Sequence, residues 1–355
     1  MYARAVTATG SFGIADSVEH WIAVSPGPSA RFLRAVEELA RERPVVLLDL
    51  SGGRAQGFVV AAAGTVSAAV VNEMLLQARG TPWLVLPEER CAALGLAPLG
   101  PSSRPEALRF YTSIEARANV TTGVSAHDRA LTMRVAAAPE ASRNDISTPG
   151  HVMPIGVPAD GMLRRAFGVD TALALTSRAG DPGGAAICAI LDGDGEPSGG
   201  EVTRRYAREH SLPLVSTVEV LDAHLSEREL VRPDGDECLE TAVGYVPART
   251  YVDLLDRRHF ALTWGDVRAA QEPVLTAIHV RDPLRDLFDD GPRARLERTL
   301  ERLAGDGVAV LLSLADSPAA WRGGDPRSEL LSTKLRLHVA KAILRDVGVD
   351  SVRRT

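Results

Sequence analysis

The chain alternates between short, unbroken apolar runs and longer stretches in which apolar residues recur every three or four positions. A strand covered on both faces is apolar at every position, whereas a helix on a core is apolar along one stripe. The runs PVVLLDL (44–50), GFVVAAAG (57–64), PWLVLP (82–87), AAICAIL (185–191) and LPLVST (212–217) therefore read as buried strands. Ser29 caps a helix that runs to about Arg43, with Phe32, Val36, Leu39 and Ala40 on one face, and Pro44 stops it. Thr65 or Ser67 opens a second helix that ends at Gly80, and EERCAALGL is a short third one. ALRFYTSIEA (107–116) is strand-like, Ser125 caps a helix, and residues 139–158 read as a loop-rich stretch around Pro149-Gly150-His151. Residues 161–180 read as one helix, followed later by EVTRRYAREH and VEVLDAHLSER as two more. Strands alternating with helices predict a mixed sheet with flanking helices, an α+β arrangement.

Past this region, VRPDGDECLE (231–240) is polar and holds Pro and Gly, which reads as a linker. YVPARTYVDLL, HFALTWGDV and TAIHVRD follow as strands, RARLERTLERLAGDG as an amphipathic helix, VAVLLSL as a buried strand and LLSTKLRLHVAKAILRDVG as a long helix. The predicted organisation is an irregular lead-in over 1–28, a first domain over 29–230, a linker over 231–240 and a smaller α/β domain over 241–355.

Composition narrows the function classes. With 40 basic against 46 acidic residues, the net charge of −6 argues against a broad nucleic-acid or anionic-membrane surface, and 5% aromatic content argues against base-stacking platforms. The three cysteines, Cys91, Cys188 and Cys238, fit no zinc spacing and no disulfide framework. No apolar run is long enough to span a bilayer, and the first residues hold Asp16, Glu19 and His20 where a signal peptide would be apolar. A reducing cytoplasm is the expected compartment.

Two stretches carry chemistry: TTGVSAHDR (121–129) and DISTPGHVMPI (145–155). Together they resemble the 3,4-dihydroxy-2-butanone 4-phosphate synthase family of riboflavin biosynthesis, and the order of flanking elements agrees over about residues 29–230. The runs HVRDPLRDLF, RLERTLERLAGDGVAVLLSL and KLRLHVAKAILRDVGV resemble GTP cyclohydrolase II more weakly, in a shortened form. The family often carries the two domains fused in this order. The resemblance implies a reaction that moves a carbon skeleton and expels formate from ribulose 5-phosphate with Mg²⁺, at a site completed across a homodimer.

The chain departs from that pattern at several positions. The loop after the first strand is crowded with Asp, Glu and Arg in the family, yet here it reads Asp49-Leu50-Ser51-Gly52-Gly53-Arg54-Ala55-Gln56-Gly57-Phe58. Arg54 falls where the resemblance places a metal-binding glutamate, and a guanidinium repels Mg²⁺. Gly168 falls at the position of the metal-binding histidine, Val169 at a phosphate-holding threonine, Ala189 at a proton-transferring glutamate and Thr148 at an arginine. Residues 50–62 contain no Asp or Glu. The second half has no cysteine between Thr276 and Arg295, where the cyclohydrolase resemblance needs zinc thiolates.

What remains is His151 as a catalytic acid or base, with Asp49, Arg54, Gln56, Thr122, Asp128 and Arg165 as substrate-binding candidates and no metal or other cofactor. For each, a structural role stays open: His151 as a loop residue, Asp128 with Arg129 as an ion pair holding the helix start, Arg165 as a solvated helix residue, and Arg54 with Gln56 as a drifted loop. His127 and Cys188 read as a surface and a core residue. Three functions are in view, of which an active dihydroxybutanone phosphate synthase, the one the resemblance alone implies, is opposed by the residues above; two others follow. One is a repurposed, metal-independent lyase or isomerase acting on a small phosphorylated or polyhydroxylated compound, such as a sugar phosphate, in a specialised biosynthetic pathway. The other is a non-catalytic scaffold. The discriminator is whether the cleft stays polar or is filled by Phe58 and Phe167.

Overall fold

A computed structural model describes residues 28–51, 54–100, 107–282, 286, 288, 290–315 and 326–354; the lead-in over 1–27 lies outside the described residues. The chain divides into two compact units, one over Gly27–Glu227 and the other over most of the chain from Arg228 onward.

The first unit is built on an eight-stranded mixed sheet. Its strands are β1 (Val45–Asp49), β2 (Gln56–Ala62), β3 (Trp83–Pro87), β4 (Arg109–Phe110), β5 (Ile114–Ala116), β6 (Ile146–Val157), β7 (Ala185–Ala189) and β8 (Leu214–Ser216). The spatial order is β4-β6-β3-β7-β2-β1-β8, with β5 pairing β6. β1 with β8 and β3 with β6 run parallel, and the other neighbours run antiparallel. The apolar runs form the sheet's interior: Val46, Leu47, Val59, Val60, Leu84, Val85, Ala186 and Ile187 are fully buried.

The helices are α1 (Ala30–Ala40), α2 (Ala68–Glu73), α3 (Glu88–Ala93), α4 (Ala126–Ala137), α5 (Gly161–Arg164), α6 (Gly168–Arg178), α7 (Gly200–Glu209) and α8 (Thr217–Ser226). Ser29, Ser67 and Ser125 each cap a helix by accepting a backbone N–H three residues on. One face of the sheet packs Val46, Val59, Ala61, Leu84 and Leu86 against Val70, Met74, Met133, Ala136 and Tyr206. The other is covered by α6, which packs along β1, β2, β3, β6 and β7.

Three expectations change. The helix from Ser67 widens into a π-helical turn over Met74–Ala78 and is closed by Arg79 in the left-handed region, one residue before Gly80. The single helix over 161–180 is two helices, because Ala166 takes a positive φ and the Arg165 side chain turns inward between them. The stretch read as loop-rich is largely the twelve-residue strand β6. Its Pro149 and Gly150 sit in the N-terminal part, where only β5 pairs with it; pairing to β3 begins at Met153. Proline is tolerated in such a position because no inner ladder bond is lost.

The second unit has a six-stranded sheet ordered β14-β12-β13-β11-β10-β9. Its strands are β9 (Val231–Thr241), β10 (Gly244–Asp253), β11 (Arg258–Trp264), β12 (Val274–Arg281), β13 (Ala309–Ala315) and β14 (Val352–Arg354). The segment read as a linker is therefore β9, an edge strand paired antiparallel to β10 along its length. Its polarity belongs to an exposed sheet edge, which charges protect from further pairing. Helix α9 (Asp290–Asp306) buries Leu300 and Leu303 against Val246, Leu262, Leu275 and Leu311. Helix α10 (Pro326–Val347) ends where Asp346 accepts from the Tyr251 hydroxyl at 2.7 Å and from Arg249 at 3.2 Å.

Candidate functional site

His151 projects from the N-terminal half of β6, and its Nδ1 is bonded to Oε1 of Glu115 on β5. Gly150 makes this approach feasible: a β-carbon there would lie 2.2 Å from the Ile114 carbonyl, and its N–H donates to Ser113 Oγ at 3.2 Å. With the carboxylate accepting from Nδ1–H, the ring presents Nε2 as its free acceptor. The His151 side chain is 43% exposed, so the imidazole is accessible to solvent. Glu115 was not singled out from the sequence. The signal that finds it is the pairing of β5 with β6, which spacing alone does not reveal.

The TTGVSAHDR stretch lies against this pair. A β-carbon on Gly123 would collide with the Glu115 carboxylate, and Gly123 has φ of +74°. Asp128 is buried and caged. Its Oδ2 accepts from Thr121 Oγ1 at 2.8 Å, Thr121 N at 3.3 Å and Gly123 N at 3.1 Å. The Thr121 hydroxyl bond, against the cost of burial, holds the Asp128 carboxyl below the usual carboxylate range. Arg129 instead donates from Nε to the Val124 carbonyl at 3.0 Å. Asp128 thus fixes the loop that carries Thr122, whose own side chain is exposed.

Asp49 ends β1 and faces the N-terminus of α6. Its Oδ2 accepts from Gly168 N at 3.0 Å, and its Oδ1 accepts from Ser51 N at 2.8 Å and Thr217 Oγ1 at 3.2 Å. Phe58 stands opposite Ala189 in the β2–β7 register and is buried. A β-carbon on Gly168 would lie 2.9 Å from Phe58 Cε2 and 3.2 Å from Asp49 Oδ2. Gly168 and Ala189 therefore both adjoin Phe58.

Gln56 pairs with Asp49 across β1 and β2 and is half-buried. Arg54 is exposed and has no hydrogen bond or ion pair among the described residues. Arg165 is not a solvated helix residue. Its side chain is 4% exposed and forks onto Asp170, with Nη2 to Oδ1 at 2.8 Å and Nε to Oδ2 at 3.1 Å, while Nη1 donates to the Ala107 carbonyl at 3.0 Å. Burial raises the Asp170 carboxyl above its ordinary range despite the guanidinium beside it. A fork so engaged pins the α5–α6 junction.

Register relates the two groups. Val45, Val60, Ile187, Trp83 and Met153 form one row across β1, β2, β7, β3 and β6. Because β1 and β6 run in opposite directions, Asp49 and His151 both lie beyond this row toward the same end of the sheet. Both occupy alternate positions counted from it, so both face the side that α6 covers. Four strand spacings, about 19 Å, separate β1 from β6. The Asp49–Phe58–Gly168 group and the Glu115–His151 pair are therefore separate clusters on one side of the sheet.

The sequence model for 3,4-dihydroxy-2-butanone 4-phosphate synthase matches residues 33–223, which hold both clusters. A 3,4-dihydroxy-2-butanone 4-phosphate synthase of Pseudomonas aeruginosa is 31% identical over 341 residues, covering 90% of this chain and 91% of its own length. This chain belongs to the 3,4-dihydroxy-2-butanone 4-phosphate synthase family. Its similarity extends into the second unit. The riboflavin biosynthesis protein RibBA of Aquifex aeolicus is 31% identical over 90% of this chain and 77% of its own length. A crystal structure of a two-domain synthase of this family from A. baumannii superposes with a TM-score of 0.74 at 25% identity, covering 92% of this chain and 93% of that one. No helix among the described residues is long and apolar enough to cross a membrane.

The synthase resemblance implies Mg²⁺, and the residues around Asp49 do not fit it. Asp49 already accepts three donors, Gly168 has no room for a side chain, and residues 50–62 supply no carboxylate, imidazole or thiolate. Among the described residues, no group of three His, Cys, Asp or Glu stands close enough to hold a metal ion.

Proposed function

We propose that this divergent synthase-family chain catalyses a metal-independent lyase or isomerase step on a small phosphorylated or polyhydroxylated compound, in a specialised biosynthetic pathway. The observation that carries this reading is the Glu115–His151 pair, an oriented and accessible imidazole. Glu115 holds the ring so that Nε2 takes a proton from carbon next to a carbonyl, and its carboxylate stabilises the imidazolium that forms. Thr122, exposed on the loop whose Gly123 packs against Glu115, supplies a hydroxyl for the substrate. Arg54, a cation without a partner among the described residues, is the candidate for phosphate or a developing oxyanion. Arg165 drops out of this role because Asp170 occupies its fork.

The separation of the two clusters supports a homodimer in which they are half-sites, His151 of one copy working with Arg54 of the other. The substrate is then a small molecule, with no nucleic acid and no membrane involved, and the compartment is the cytoplasm. The test is proton exchange in deuterated water over a panel of sugar phosphates, with a chelator present, followed by NMR. Exchange that disappears in His151→Asn supports the reading; exchange that survives in His151→Asn contradicts it.

A second reading, a non-catalytic scaffold, is favoured by one observation: Phe58 fills the space beside Gly168 and Ala189. It is the reading left if no compound exchanges and none raises the melting temperature.

A further inference from the structure

Helices α1 and α7 flank the sheet edge formed by β8, and a cavity of about 550 Å³ opens between them. It is lined by Arg31 and Arg34 of α1, Arg204 and Arg208 of α7, and an apolar floor that includes Leu212, Pro213 and Leu214. Arg31 and Arg34 are three residues apart, and Arg204 and Arg208 are four apart, so each pair shares one helix face. Like charges at such spacings repel, and two such pairs here face one space.

Most carboxylates on and beside these helices are engaged elsewhere. Glu37 pairs with Arg41, Glu38 with Arg41 and Arg43, and Glu209 with Arg205. Glu219 is engaged by Ser29 and Ser216. Only Arg208 has an acidic partner, Glu201 at 3.6 Å, and both side chains are solvent-exposed. Arg31, Arg34 and Arg204 have no ion-pair or hydrogen-bond partner among the described residues. In a chain of net charge −6, such a concentration of uncompensated guanidinium groups around a cavity of ligand size is a site for an anion.

We propose that this cleft binds a small diphosphate, its two phosphoryl groups held by the α1 and the α7 arginines. Guanidinium suits it because its fork matches two phosphate oxygens at once. Two sources share this chemistry, inorganic pyrophosphate and an organic diphosphate whose remaining part rests on the Leu212–Leu214 floor, and the titration below separates them.

Calorimetric titration of the full chain with inorganic pyrophosphate, with ADP and with adenosine tests this at fixed salt. The expected result is saturable binding of pyrophosphate, ADP or both, none of adenosine, and at least a ~tenfold loss of affinity in Arg34→Gln/Arg204→Gln. Arg302→Gln on α9 controls for charge in general and should bind as the unmodified chain does. ADP binding more tightly than pyrophosphate assigns the floor to an organic group; equal affinities assign the site to the diphosphate alone. Absence of saturable binding by either diphosphate, adenosine binding as tightly as ADP, or unchanged affinity in the folded double variant would overturn the proposal. Melting curves establish that the variants are folded; the single variants Arg34→Gln and Arg204→Gln, each expected to weaken binding, serve if the double variant is not.

Discussion

The Phe58 ring occupies the space that a side chain on residue 168 would need, with a β-carbon there standing 2.9 Å from Phe58 Cε2. Phe58 is buried beside Ala189, so the ring cannot move aside without leaving a cavity. Gly168→His should therefore destabilise the fold by about 1–3 kcal/mol, the usual cost of overpacking. Urea denaturation with and without magnesium checks this: the variant is expected to unfold earlier, and magnesium is expected not to restore it.

In the proposed function His151 is the reacting group and Glu115, bonded to its Nδ1, is the group that positions it. His151→Asn should lower the rate of whichever proton transfer is found by roughly 10²–10⁴-fold, the span ordinary for a general base. Glu115→Gln keeps a hydrogen-bond acceptor for the ring and should cost less, mainly in kcat. Steady-state kinetics on both variants, with melting temperatures alongside, distinguishes this from a structural role, in which both would unfold early and neither would change kcat.

The buried Arg165–Asp170 pair gives a stability prediction. Asp170→Asn strands a buried guanidinium and should cost about 3–5 kcal/mol. Replacing both partners together, as Arg165→Met/Asp170→Leu, should recover much of that loss. Chemical denaturation of the three proteins reads the difference. A phosphate clamp would show the opposite pattern: little change in stability and a large change in KM.

In the second unit, burial alone would raise the Asp253 carboxyl, but hydrogen bonds from His259 and Arg257 outweigh it and hold it at about 2. A carboxyl lowered from 3.8 contributes stability that is present above its unfolded pKa and is lost as pH falls toward 2. The loss over that window is of order 2 kcal/mol. Asp253→Asn should be less stable at neutral pH and should flatten the acid limb between these values. Denaturation midpoints across the acid range measure it.

The strands of the first unit were legible because burial on both faces leaves no polar position to confuse period and length. Serines 29, 67 and 125 marked helix starts for an equally local reason, a side-chain oxygen facing an unpaired N–H. β6 and β9 were not legible. Pro149-Gly150 and Pro233 with Gly235 carry turn chemistry, and only the tertiary position of these segments, in the half of β6 that meets β5 alone and on an outer edge at β9, makes strand tolerable there. At the site, the PGH and TTGVS stretches were readable as motifs. The partner of His151 was not, because Glu115 reaches it only through strand pairing. Likewise, the inward turn of Arg165 depends on a positive φ at Ala166 that no spacing rule signals.

In the proposed function, acid–base chemistry at His151 needs no divalent ion. Its most direct test is incubation of the purified chain with ribulose 5-phosphate, with magnesium and with a chelator, while formate is measured. The expectation is that no formate is released in either condition. Formate released only with magnesium, at a rate that His151→Asn abolishes, would contradict it.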